Sequence, residues 1–236
     1  MNLIVSLLLF SWISGLTAFL GGLLARGETT VESETKDRLI HGVVAFGGGI
    51  LLAAVAFALL PRGMELLSPT LLALCFLGGG ILFSVIDSWQ SRTGGPKAQL
   101  LAMLMDFVPE ALSLGAVFSH DHNLGLLLAV FIALQNLPEG FNAYRELVLG
   151  GAKPWLVLGL LASISLLGPA AALAGHLFLQ ELPMVTAAIM TFAAGGILYL
   201  IFQDIAPQSK MERHWSPTLG SVLGFLLGML GHVMIH

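Results

Sequence analysis

Apolar residues in this chain come in long unbroken blocks, not in the alternation of a strand or the one-sided stripe of a surface helix. Eight such blocks run over Leu3–Leu24, Ile40–Leu60, Thr70–Trp89, Gln99–Phe118, Leu124–Ala143, Trp155–Leu179, Met184–Gln203 and Thr218–Ile235. A helix of about 20 residues, rising about 1.5 Å per residue, covers a hydrocarbon core of about 30 Å. Each block therefore predicts one membrane-spanning helix. Turn formers punctuate the connections: Pro61-Arg62-Gly63, Ser68-Pro69, Gly94-Gly95-Pro96, Gly150 to Pro154, and Pro207 to Pro217. The longest polar stretch, Arg26–Arg38, reads as a mixed-charge loop or a short helix extension. No connection could hold a soluble domain, so residues 1–236 are expected to form a single transmembrane domain with its chemistry between the helices.

Composition agrees with the pattern. The chain is 56% hydrophobic and 10% charged, with a mean hydropathy of +0.90, whereas soluble domains are about a quarter charged. The first block follows Met1-Asn2 without a basic leader and exceeds a signal-peptide core, so it reads as a retained span. The lone Cys75 excludes an intrachain disulfide. A net charge of −4 with scattered Lys and Arg leaves no footprint for nucleic acid.

Charge placement sets an expected orientation. Arg26, Lys36, Arg38, Arg92, Lys97, Arg145, Lys153, Lys210 and Arg213 follow spans one, three, five and seven, leaving only Arg62 on the other side. The positive-inside rule then puts those connections in the cytoplasm and both termini outside. Losing or adding one span would scramble this alternation. Within the spans, a Gly-Gly-Ile-Leu string recurs at Gly48–Leu51, Gly79–Leu82 and Gly195–Leu198. Small residues let helix backbones approach closely in lipid, and a smooth face also permits one helix group to slide past another.

The chemistry concentrates in spans four and five. Asp106-Phe107-Val108-Pro109-Glu110 and Gln135-Asn136-Leu137-Pro138-Glu139 each place a polar residue four positions before a Pro-Glu glutamate, at matching positions 106/135, 109/138 and 110/139. Residues four apart share a helix face. With the spans antiparallel, all four side chains fall toward the middle of the bilayer. Each carboxylate at that depth costs roughly 2.5–3.5 kcal/mol on insertion scales, and the three repel one another. A hard dication held by oxygen ligands offsets both effects, and proton handling is the other solution. Pro109 and Pro138 also free the carbonyls of Met105 and Leu134 from their helical bonds, which offers further oxygens or holds waters. Asn136 is a weaker candidate, since a lone amide often bonds a neighbouring helix.

Other polar residues flank these motifs. Asp87 and Asp204 end spans three and seven, as interfacial carboxylates or as an exit relay toward the cytoplasm. His120, His122, His176, His232 and His236 fall toward the expected outer side, where a group of imidazoles would raise metal concentration at a mouth, while His41 and His214 fall inside.

At these residues the chain resembles the ZIP (Zrt-/Irt-like) family of divalent metal transporters, of the compact prokaryotic type. Gln135-Asn136-Leu137-Pro138-Glu139-Gly140 is similar to the family's fifth-helix motif, and Asp106-Phe107-Val108-Pro109-Glu110 to its fourth-helix motif, usually His-Asn-x-Pro-Glu-Gly. Phe192-Ala193-Ala194-Gly195-Gly196 with Tyr199 and Asp204 looks like its seventh helix. The resemblance implies a ZIP-like bundle of eight helices with both termini outside, and metal ligands at Asp106, Glu110, Gln135 and Glu139. Aspartate replaces the usual histidine at 106 and phenylalanine the usual asparagine at 107. Gly168 stands in the sixth-helix region where some members carry a glutamate. These departures imply one metal rather than a binuclear centre. The histidine-rich connection between helices three and four is missing from Ser91–Ala98.

An oxygen-only ligand set favours harder ions than imidazole does, although Zn²⁺ also accepts carboxylates. The expected activity is inward movement of Zn²⁺, Fe²⁺, Mn²⁺ or Cd²⁺ as substrate, by elevator-like alternating access, with no prosthetic group and no enzyme activity. The expected location is the cell membrane, multi-pass, and the expected partners are the dications, the bilayer and a second copy as a homodimer. An intramembrane metalloenzyme is the first rival, although no His-Glu-x-x-His pattern is present. A proton-coupled carrier of another small solute is the second.

Overall fold

A computed structural model describes residues 2–27, 33–93, 98–212 and 214–235. These residues are helical almost throughout. The helices are α1 (Leu3–Gly27), α2 (Glu34–Ala54), α3 (Leu60–Leu66), α4 (Pro69–Thr93), α5 (Ala98–Val117), α6 (His122–Leu149), α7 (Pro154–Ile164), α8 (Leu167–Leu179), α9 (Pro183–Leu200), α10 (Ala206–Ser209) and α11 (Leu219–Ile235). Among the described residues no strand forms, and seven helical stretches are long and apolar enough to cross a membrane. The last block gives a shorter apolar helix of 17 residues. This is the make-up of an all-α, multi-pass membrane protein. Gly94, Gly95, Pro96, Lys97, Arg213 and His236, which enter the sequence argument above, lie outside the described residues.

One expected break, Pro61-Arg62-Gly63, is helix instead, and another, expected from Pro207 to Pro217, begins only after Ser209. Pro61-Arg62-Gly63 and Pro207 do not end their spans, because the helix widens ahead of each proline. The N–H of Leu60 bonds Val55 O, and that of Ala206 bonds Ile201 O. These five-residue π turns (Val55–Leu59 and Ile201–Ile205) spare the proline ring the clash it meets in a regular helix. The chain turns later, at Leu67-Ser68 and beyond Ser209. The sixth block is one span in two pieces. It breaks at Ser165-Leu166, where Pro169 cannot donate back to Ser165 O. The Gly150–Pro154 connection is a true turn, in which Gly151 takes φ 92°, a backbone conformation open to glycine.

The helices pack as two quartets. One joins α1, α5, α6 and the α7–α8 span; the other joins α2 with α3, α4, α9 with α10, and α11. Glycines interlock each quartet in reciprocal pairs. A Cβ on Gly21 would stand 2.0 Å from Leu137 O and one on Gly140 2.1 Å from Ala18 O. Gly115 and Gly175 lock α5 to α8 in the same way, Gly49 and Gly224 lock α2 to α11, and Gly79 and Gly195 lock α4 to α9. At such distances backbones touch directly, the close packing available to helices in lipid. Among the described glycines, every such approach to a backbone oxygen stays within one quartet. Between the quartets, the described glycines that come close meet side chains, Gly47 at Pro138 and Gly228 at Phe131.

Candidate functional site

The two polar motifs meet at the seam between the quartets. Four-residue spacing puts Asp106 and Glu110 on one face of α5, and Gln135 and Glu139 on one face of α6. The helices run antiparallel, so Glu110 faces Gln135 while Asp106 faces Glu139. Gln135 Nε2 donates to Glu110 Oε2, and the Asp106 and Glu139 carboxyls line one narrow cleft together. A carboxyl pair of that kind is held by a shared proton or by a cation. Asp106 Oδ1 also accepts from the Phe107 N–H at 2.7 Å. Asp106, Glu110, Gln135, Asn136 and Glu139 are all withdrawn from solvent and lipid, from Gln135 at 0% exposed to Glu139 at 5%.

What the protein leaves unpaired there is informative. Glu110 Oε1, Gln135 Oε1, Asn136 Oδ1 and Glu139 Oε2 are buried without a hydrogen-bond partner, although native proteins pair the great majority of such atoms. All are oxygens. Asn136 is positioned by its other end, Nδ2 donating to Ser14 O of α1 at 3.1 Å, which leaves its oxygen free. Hard cations seek such a set. Among the described residues, however, no group of three His, Cys, Asp or Glu side chains is drawn together as a metal centre. The side chains stand as two pairs, one of them joined by the Gln135 amide.

Both prolines lie inside their helices, as expected. Met105, whose carbonyl Pro109 frees, is half-buried one position before Asp106. Phe107 occupies the ground beside the site. Its ring tip lies 2.9 Å from where a Cβ on Gly15 would stand and 3.0 Å from one on Gly168. The aromatic ring thus fills space that two glycines leave open.

The cluster opens toward the end of the bundle that carries His41. A narrow cleft of about 10 Å³, room for about one water, joins Asp106 and Glu139 to Asp204. Asp204 also borders a wider cavity of about 460 Å³ with Asp37, His41, Asn142, Arg145, Glu146 and Gln208. Asp87 receives the Tyr199 hydroxyl hydrogen bond at 2.8 Å, and its charge, like that of Glu146, acts on Asp204. Asp87 and Asp204 therefore belong to one acidic neighbourhood near the cluster. Asn142 and Glu146 went unnoticed in the sequence, although the helical period of α6 continues through Gln135, Glu139, Asn142 and Glu146 on one face.

Among the described residues the histidines do not gather. His120 Nε2 lies 3.9 Å from Glu181 Oε1 and borders a cavity of about 390 Å³ with Arg62, Asp121 and Gln180, apart from the carboxylates. His122 packs edge-on against Phe118, and His232 stacks on Phe57. His176 Nδ1 is buried on α8 without a hydrogen-bond partner.

No family model matches this chain, and comparison with curated proteins gives no match.

Proposed function

We propose that the chain is a secondary transporter of divalent metal ions of the ZIP type, carrying Zn²⁺, Fe²⁺, Mn²⁺ or Cd²⁺ into the cytoplasm through the site between α5 and α6. The observation that carries this reading is the set of four unpartnered buried oxygens, on Glu110, Gln135, Asn136 and Glu139. Unpaired donors would have pointed to an anion; unpaired acceptors alone fit a cation. Asp106 and Glu139 complete the set once a dication takes the place of the proton between them. In this reading the chain has eight spans, α11 being the last, and both termini outside.

Passage of the ion follows from the same geometry. The site helices belong to one quartet, whose helices meet backbone to backbone at glycines, while the glycines at the seam with the other quartet meet side chains. The first quartet then moves as a body along the second and exposes the site to each side in turn. The state described here opens toward the His41 end through Asp204. In this orientation that end faces the cytoplasm, with Asp204, Asp87 and Glu146 receiving the ion on its way out. The Phe107 ring against Gly15 and Gly168 supports a site for one ion.

Purified protein in proteoliposomes tests the reading. Entry of one of the four dications down its gradient is expected, with loss of both binding and entry in Glu139→Ala. Failure of every dication to bind the wild type would overturn it.

A further inference from the structure

A further cavity lies outside the carboxylate site. It is a groove of about 950 Å³ between α2, the Ile201–Ile205 turn with α10, and α11. Its walls are apolar and include Leu52, Phe202, Ile205, Val222 and Phe225. It follows the Ile201–Ser209 stretch for about 12 Å of helix rise. Phe202 is 69% exposed and Val222 60%, on helices of a membrane-spanning bundle, so the groove opens into the bilayer. Ser209, Thr218 and Ser221 give water few polar partners along those walls, and an empty groove of this size would forfeit dispersion contacts on both sides.

One end of the groove is chemically different. Lys210 and Glu212, both exposed, line it beside His214 and Trp215, and Trp215 is 76% exposed. His214 is already engaged, with Nε2 2.9 Å from Glu34 Oε1. Lysine and tryptophan at the end of an apolar stretch are the residues that anchor at the headgroup level of a membrane. The ammonium of Lys210 matches a phosphate. The carboxylate of Glu212, two residues on, repels a purely anionic headgroup and attracts an amine.

We propose that this groove is a binding site for a phospholipid with an amine-bearing zwitterionic headgroup. The acyl chains lie along Leu52, Phe202, Val222 and Phe225, the phosphate meets Lys210, and the headgroup ammonium meets Glu212. The position has consequences for the centre of the molecule. Ile205, which packs on Gly48, borders this groove, the narrow cleft that joins Glu139 to Asp204, and a second cleft of about 10 Å³ between Pro138, Glu139 and Gln208. A seated lipid therefore braces the side chain that lies between the bilayer and the carboxylates. The site stands on the groove alone and does not rest on the dication reading.

The test uses the full chain in metal-free nanodiscs of equimolar phosphatidylethanolamine, phosphatidylcholine and phosphatidylglycerol, released into detergent and weighed intact by native mass spectrometry. One retained lipid is expected, enriched in phosphatidylethanolamine. Lys210→Ala should lower retention about tenfold, the scale of one lost hydrogen bond to a charged group. Glu212→Gln should keep a lipid but shift its identity toward phosphatidylglycerol. Val222→Trp, which fills the groove from an exposed position, should abolish retention, while Leu227→Trp, elsewhere on α11, should not. Unchanged melting temperatures keep misfolding from imitating these losses. Retained lipid at the bulk composition, a wild-type preference for phosphatidylglycerol, or equal retention by Lys210→Ala, Val222→Trp and wild type would each overturn the proposal.

Discussion

Gly47 of α2 lies flat against the ring of Pro138 in α6: a Cβ built on Gly47 would stand 2.8 Å from Pro138 Cγ and 3.2 Å from its Cβ. Gly47 and Pro138 belong to different quartets, and Pro138 is next to Glu139. A proline ring cannot swing aside as a flexible side chain does. If α6 travels along α2, this is where a methyl group would catch. Gly47→Ala should slow dication entry severalfold while leaving dication affinity near wild type, measured by uptake and by titration calorimetry. Gly42→Ala, on the same helix with open space around it, should leave uptake unchanged. Equal uptake in both variants would remove Gly47 from the path of motion.

Within a quartet the same substitution has a different result. At Gly140 a Cβ would fall 2.1 Å from the Ala18 carbonyl oxygen, and backbone cannot give way cheaply. Gly140→Ala should cost about 3 kcal/mol or more, the upper end for overpacking. Thermal unfolding of the purified protein should show it as a clear loss of melting temperature, whether or not a dication is present.

The amide of Gln135 holds the Glu110 carboxyl in the absence of metal. Gln135→Leu should leave that carboxyl buried without its donor, at a cost of about 1–3 kcal/mol. It should also weaken dication binding, because Gln135 Oε1 is one of the unpartnered oxygens. Melting temperatures with and without dication separate the two losses. A variant as stable as wild type without metal would show that the pair contributes little.

Asp106 is the position where a histidine would most change the ion preferred. Imidazole suits Zn²⁺ better than Mn²⁺, whereas carboxylate serves both. Asp106→His should raise the Zn²⁺-to-Mn²⁺ uptake ratio in competition assays. Unchanged ratios would take Asp106 out of the ligand set.

The opening of the cleft beside Asp106 and Glu139 toward Asp204 gives a fifth expectation. Asp204→Asn removes one charge from the acidic neighbourhood of Asp87 and Glu146. It should slow dication entry while the affinity measured at equilibrium changes less than in Glu139→Ala. A loss of affinity as large as that of Glu139→Ala would make Asp204 part of the site itself.

Much of this molecule was legible before any fold was known. The helical class followed from block length, since only a helix satisfies a backbone in hydrocarbon within a single segment. The central cluster followed from periodicity and depth, because Asp106 with Glu110 and Gln135 with Glu139 can share faces only as helical neighbours. The prolines misled at Pro61 and Pro207. A sequence marks a proline as a break, while the decision between a break and a π turn depends on what the rest of the helix gains by continuing. The histidines gave the opposite error. His120, His122 and His232 fall at similar expected depths, yet they face Glu181, Phe118 and Phe57, which lie in three different segments of the chain.

By itself the sequence determined which segments are helical and which polar side chains leave each helix together, because both depend on local rise and period. Tertiary structure alone decided what those side chains meet: that Gln135 takes one oxygen of Glu110 and leaves the other free, that Phe107 closes over Gly15 and Gly168, and that glycines lock four helix pairs but not the seam between quartets. The reason is physical. A glycine or a carboxylate has the same local preferences wherever it stands, and only the partner brought to it across the bundle turns it into a lock or a ligand.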